Sequence, residues 1–167
     1  EGDDMKIGII GSGRVGYSMG KYMQDHGIRV TGFYDRHRER ALDAAQFTGT
    51  DSFDRIEDLV AASDTLFLTT SDGEIANVWD CIRHLSIQGK IICHFSGSLS
   101  SDQFQGIEKT RAYGLSIHPM LAFSDKYTSY KQLQNAFFTL EGHAQALAVM
   151  EPLLQKMGNP VQRIAPE

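Results

Sequence analysis

The sequence predicts an α/β fold with a doubly wound, mostly parallel sheet and helices on both faces. Three observations carry that expectation. Short apolar runs recur along the chain, each with the length and composition of a buried strand. Between them lie stretches whose apolar residues keep helical spacing. The first run leads directly into Gly11-Ser12-Gly13-Arg14-Val15-Gly16, a glycine-rich junction between a strand and a helix. Strands that alternate with helices need crossover connections, and these produce a parallel sheet covered on both sides.

Taken in order, Lys6-Ile-Gly-Ile-Ile10 is the first strand. Val15, Met19, Tyr22 and Met23 fall at i, i+4, i+7 and i+8, the apolar face of a helix that stops near Gly27. The second strand is expected over Ile28 to Tyr34, and a polar helix with Ala41, Leu42 and Ala45 on one side over Arg38 to Phe47. A short strand near Gly49 to Phe53 and a brief helix from Ile56 to Ala62 follow. Thr65-Leu-Phe-Leu-Thr69 is the next buried strand, after which Asp72 is expected to cap a helix carrying Ile75, Val78, Trp79, Ile82 and Leu85. Ile91-Ile-Cys-His-Phe95 is a strand entering the turn "SGSLSS". Ala112 to Ile117 and Ala136 to Leu140 are further strands. A closing helix carries Leu147, Met150, Leu154 and Met157 up to Gly158, and Val161 to Ile164 is the last strand.

The 167 residues suffice for one well-buried domain, expected over 5–167, with Glu1 to Asp4 read as a tag remnant or disordered leader. A net charge of −5 leaves no surplus of Lys and Arg to neutralise a nucleic acid. No apolar run reaches the ~18 residues of a membrane span. Cys81 and Cys93 lack metal-site spacing and read as free thiols of a reducing, cytoplasmic environment. No HExxH, paired-carboxylate or Ser-His-Asp spacing supports a metal site or hydrolysis.

In its strand-and-helix context the glycine motif reads as a dinucleotide cradle. Gly11 makes the tight turn, Gly13 lets a pyrophosphate approach the backbone, and Gly16 lets helix and strand pack closely. The helix N-terminus beyond offers unpaired N–H groups to phosphates. Asp35 ends the second strand about 20 residues past the motif, where a carboxylate accepts hydrogen bonds from an adenosine ribose, which favours NAD. Arg36 follows at once and could hold a 2′-phosphate or the adenine, favouring NADP. Arg38 and Arg40 read as a solvated helix face. NAD and NADP both stay open on these residues.

Ligands of open α/β sheets bind beyond the carboxyl ends of the strands, which selects Thr70, Ser71 and Asp72, then Ser96, Gly97 and Ser98, then His118. Hydride transfer needs one proton moved at the substrate, a task suited to His118, and a hydroxyl from Ser96 or Ser98 beside the reacting group. His118 could instead fix the turn before Pro119, and Ser98 and Ser100 could cap a helix. His94 reads as a packed, hydrogen-bonded core residue, while His26, His37, His84 and His143 show no partners in sequence.

Four stretches, "IGIIGSGRVGYSMGKYMQDHG", "TLFLTTSDGEIANVW", "CHFSGSLSS" and "GLSIHPMLAF", resemble the 6-phosphogluconate-dehydrogenase-like Rossmann proteins. The closest resemblance is to the Rossmann-like/DUF2520 oxidoreductase family, and "HPM" after a strand is similar to the more distant prephenate dehydrogenases. The resemblance implies an NAD(P)-dependent oxidoreductase acting on an unspecified small molecule, with NADP favoured. It also implies a C-terminal helical domain that completes the substrate pocket and forms a homodimer, beginning about where this sequence stops at Pro166-Glu167. A dinucleotide-binding sensor or assembly module without turnover is the alternative. Ser71 stands where that family has a proline, and a changed local turn is expected there.

Overall fold

The computed structural model describes residues 5–165. The four residues read as a leader lie outside them. Eight strands form one sheet in the order β3-β2-β1-β4-β5-β6-β7-β8. They are β1 (Lys6–Ile10), β2 (Arg29–Tyr34), β3 (Asp51–Ser52), β4 (Thr65–Leu68), β5 (Ile91–His94), β6 (Tyr113–Pro119), β7 (Phe138–Gly142) and β8 (Val161–Arg163). The helices are α1 (Arg14–Asp25), α2 (Arg38–Thr48), α3 (Ile56–Ala62), α4 (Ile75–Ile82) and α5 (Ala144–Lys156).

The two sheet faces can be read from strand alternation. Ile7, Ile9, Phe67, Cys93, Leu115 and Ile117 point to the side covered by α1, α2 and α5, where Met19, Met23, Leu147 and Met150 meet them. Ile10, Leu66, Leu68 and Ile92 point to the other side, against Leu59 and Val60 of α3 and Trp79 and Ile82 of α4. Trp79 donates its indole N–H to the Gln105 carbonyl at 2.8 Å and packs edge-on to Phe104, so the one tryptophan is buried without an orphaned donor.

The first six strands run parallel. β7 pairs antiparallel with β6, Pro119 opposite Phe138, and β8 runs parallel to β7. The reversal has a local cause: no α-helix spans residues 120–137. That segment returns through the 3₁₀ stretch Ser129–Asn135, which packs against α1. Without a helical crossover, the chain re-enters the sheet beside the strand it left, which requires the opposite direction.

The expected cap at Asp72 is corrected. Asp72–Glu74 form a 3₁₀ turn of their own, Glu74 precedes α4, and no side chain caps that helix. The helix also ends at Ile82, short of Leu85. At Ser71, where a changed turn is expected, φ is −61°, an angle that a proline would also fix.

Candidate functional site

The strand order reverses between β1 and β4, because the chain winds outward through β2 and β3 on one side and through β4, β5 and β6 on the other. Beyond the carboxyl ends of those two strands lies a cavity of about 290 Å³. Gly11, Ser12 and Gly13 form its floor, Tyr34 to His37 and Arg40 one wall, and Thr69 to Ser71 with Glu74 and Val78 the other. A crevice at this point is where an open α/β sheet receives its ligand.

Two glycines shape the floor. Gly11 sits at φ +103°, a conformation that L side chains rarely adopt, and its N–H is tied to the Tyr34 carbonyl at 2.9 Å. Gly16 has no room for a side chain, since a Cβ there would lie 2.6 Å from the Gly11 carbonyl oxygen and 2.7 Å from Thr69 Oγ1. At Gly13, by contrast, a Cβ would meet nothing within 4 Å, so the backbone there is open. Gly13 is also the N-cap of α1, and the first intrahelical bond runs from Tyr17 N–H to Gly13 O. The amides of Arg14, Val15 and Gly16 therefore have no acceptor within the helix, and no acidic side chain occupies its first turn.

Asp35 and Ser12 are joined across the crevice. Asp35 Oδ2 accepts from Ser12 N at 3.0 Å and Ser12 Oγ at 2.8 Å, and Oδ1 accepts from His37 N at 2.7 Å. Arg36 and Arg40 are exposed on the same wall, and among the described residues neither forms an ion pair. Arg38 points elsewhere and pairs with Asp54 at 3.0 Å. Arg40 is thus a crevice residue that the sequence reading placed on the solvated helix face. Arg36 lies in the loop before α2 and Arg40 in the first turn of that helix, so both come to the crevice from the β2–α2 junction.

Thr70 supplies the second feature. Its Oγ1 is buried and has no hydrogen-bond partner, a condition shared among the described residues only with Thr31 Oγ1, and only Thr70 lines the crevice. Orphaned buried hydroxyls are costly and call for an explanation, such as a ligand that supplies the missing partner. Val15 is half-buried and packs on the core, Arg14 is exposed, and neither lines the cavity.

A second group lies at the ends of β5 and β6. Ser98 N–H donates to Ser96 Oγ at 3.2 Å, and Ser98 Oγ donates to Asp72 Oδ2 at 3.2 Å. The two serine oxygens are 3.3 Å apart. A carboxylate only accepts, so the Ser98 proton goes to Asp72 and the Ser96 hydroxyl proton is left for Ser98 or for a ligand. His118 lies over this turn: a Cβ on Gly97 would come within 2.5 Å of its Cε1. Among the described residues the His118 ring makes no hydrogen bond, so the turn-fixing ring bond weighed for it is not formed. Ser98 is likewise not a cap, whereas Ser100 caps Ser101–Gln103 by accepting from Asp102 N.

Beneath the serines, His94 is fully buried. Its Nε2–H donates to the Ser100 carbonyl at 2.7 Å and its Nδ1 accepts from Ser96 N at 3.2 Å. Burial holds this imidazole below the usual histidine range, against the opposing pull of the Ser100 bond and the charges of Glu141 and Asp72. Glu141, itself buried, accepts from Ser101 N and Oγ, both at 2.8 Å. The sequence reading ended that strand at Leu140. The alternation of Thr139 and Glu141 against Phe138 and Leu140 was the signal that the strand continues.

Among the described residues there is no group of three or more His, Cys, Asp or Glu able to hold a metal ion, and no helix long and apolar enough to cross a membrane. Residues 5–87 match an oxidoreductase family described by its NAD-binding Rossmann fold. The match covers the first four strands and the glycine turn, and the fold as a whole is that of a Rossmann domain. Among solved structures, the chain is similar to a Bacteroides fragilis protein described as an NADP oxidoreductase. They share 19% identity at a TM-score of 0.83, over 99% of this chain and 62% of that one. It is also similar to an imine reductase from a Pseudomonas species, at 18% identity and a TM-score of 0.77, over 98% of this chain and 56% of that one. An imine reductase from Myxococcus stipitatus in complex with NADP+ aligns at 17% identity and a TM-score of 0.74, over 96% of this chain and 55% of that one. The chain thus spans between half and two thirds of the length of these proteins. Compared with curated proteins, it matches none.

Proposed function

We propose that this chain is the cofactor-holding part of an NAD(P)-dependent oxidoreductase that transfers hydride between the nicotinamide and a small organic substrate. The observation that carries the reading is convergence on one crevice. The open backbone at Gly13, the N-cap whose helix begins with unpaired amides, and Thr70 with its unpartnered hydroxyl line one cavity with Arg36 and Arg40. Gly11, Ser12, Gly13, Arg14, Val15 and Gly16 would hold the diphosphate, with Thr70 and Ser71 on the opposite wall. The nicotinamide, when bound, supplies the hydride acceptor or donor.

NADP is the favoured cofactor in this reading. Both oxygens of Asp35 already accept from Ser12 and His37, and Arg36 and Arg40 present two unpaired guanidinium groups beside them. Arg forks suit a phosphate in a way that a lone carboxylate does not. Asp72 and Ser98 brace one another at the edge of the crevice. The Ser96 hydroxyl donates a hydrogen bond to the reacting group, and His118 takes or returns the proton at a ring nitrogen.

The Rossmann-like/DUF2520 resemblance supports placing the whole protein in that family, with prephenate dehydrogenase as a distant relative. It also supports a helical C-terminal domain that closes the substrate pocket and a homodimer built on that domain, while the free thiols Cys81 and Cys93 support a cytoplasmic location. Fluorescence titration with NADPH and NADH, on wild type and on Asp35→Ala, Arg36→Ala and Arg40→Ala, tests the core of the reading. Loss of a charge-assisted contact costs about 1.5–3 kcal/mol, so each arginine variant is expected to bind NADPH about tenfold or more weakly while NADH is little affected. No saturable signal with either nucleotide overturns the reading.

A further inference from the structure

We propose that His94 is a positioning residue: in its Nε2–H form it sets the turn that presents Ser96 and Ser98 beside Asp72 and His118. The inference rests on the oxidoreductase reading for the purpose of that turn, while the tie itself stands on geometry alone. The imidazole is fully buried at the end of β5, and both ring nitrogens are engaged by backbone of one short segment. The two bonds require opposite characters, a donor for the Ser100 carbonyl and an acceptor for the Ser96 amide, and neutral imidazole is the side chain that offers both at once. Protonation places an N–H where Ser96 N–H already points, so the turn survives only while the ring is neutral.

The surroundings fit a fixed turn. Phe104 packs against the ring at 5.4 Å, and Glu141 holds Ser101 from the neighbouring strand pair. Ser116 Oγ donates to the Leu99 carbonyl at 3.3 Å. The segment from Ser96 to Ser101 is therefore tied at Ser96, Leu99, Ser100 and Ser101, which leaves the Ser98 side chain exposed and the buried Ser96 hydroxyl beside it. The charged groups facing His94 are Asp72, from the turn after β4, and Glu141, from β7.

Asn and Gln separate the two bonds. His94→Asn keeps an acceptor near the Nδ1 position and loses the far donor, whereas His94→Gln keeps a donor near Nε2 and loses the acceptor. In the ¹⁵N-labelled chain, ring spectra at pH 7 are expected to show Nε2 protonated and Nδ1 bare. Amide exchange at Ser96 should stay within about threefold of wild type in His94→Asn and rise about tenfold in His94→Gln, the worth of one hydrogen bond. On acidification the Ser96 and Ser98 amide resonances should move together with the ring at a midpoint below about 6.5, the ordinary histidine value. An Nδ1–H ring, equal exchange in the two variants, or serine amides that ignore the ring's titration overturns the proposal. NADPH is the probe for the cradle, and both variants should bind it as wild type does. If wild type binds neither NADPH nor NADH while the ring and amides behave as expected, the oxidoreductase reading fails and the tie remains.

Discussion

Gly16 lacks a side chain because the Gly11 carbonyl and the Thr69 hydroxyl already occupy the space. Gly16→Ala forces α1 away from the strand end, and the expected cost is about 1–3 kcal/mol of stability, with nucleotide affinity falling alongside. Urea unfolding of the variant measures the first, and NADPH titration the second. The two cysteines differ in the same residue-level way. Cys81 is exposed, while Cys93 is buried and its thiol is pushed far above the usual range by burial. A thiol reagent should therefore titrate one group in the folded protein and two after denaturation. At this scale the glycine turn was legible because Gly11 and Gly16 each answer a local steric demand. The engagement of Asp35 by Ser12 was not, since it joins residues 23 apart whose meeting depends on how β1 and β2 pair.

Between elements, the loop after β6 is fastened to both helices of the cradle face. Tyr17 of α1 and Tyr127 of the loop both donate to Asp43 Oδ2 of α2, and Lys126 lies 5.1 Å from each ring. Burial and the Asp43 bond raise the Tyr17 phenol far above its ordinary range, and the two phenol bonds lower Asp43. The sign follows from linkage. Asp43 contributes stability that is present above about pH 4, its unfolded range, and lost as pH falls through its lowered folded value. Tyr17 contributes stability that is present below about pH 10 and lost as pH rises beyond it. Asp43→Asn should flatten both limbs of the stability–pH curve relative to wild type. Tyr17→Phe should cost about 1 kcal/mol at neutral pH. Helix spacing gave no hint of this clamp, nor of the antiparallel β7, because both depend on where an irregular segment lands. The parallel strands and the spans of α2 and α3 were readable, being set by local apolar period.

At the scale of the molecule, strand order produces the crevice. Winding outward from β1 in both directions leaves a gap at the carboxyl ends of β1 and β4, and Gly13, the N-cap of α1, lines it. The chain as a whole carries −5, yet Arg36 and Arg40 stand at this gap, so local charge rather than net charge governs the approach of a phosphate. A ligand that binds the assembled crevice and not the unfolded chain must stabilise the fold by mass action, by about 2.7 kcal/mol at a hundred times its Kd. For a domain of this size that corresponds to a rise in Tm of about 5–10 °C. NADPH should give that rise, and the shift should shrink with added salt as the arginine contacts are screened. Arg36→Ala combined with Arg40→Ala should remove most of the NADPH shift and spare the NADH shift, because only the 2′-phosphate is left without its partners. Equal shifts for both nucleotides in wild type would instead place the adenosine contact on Asp35.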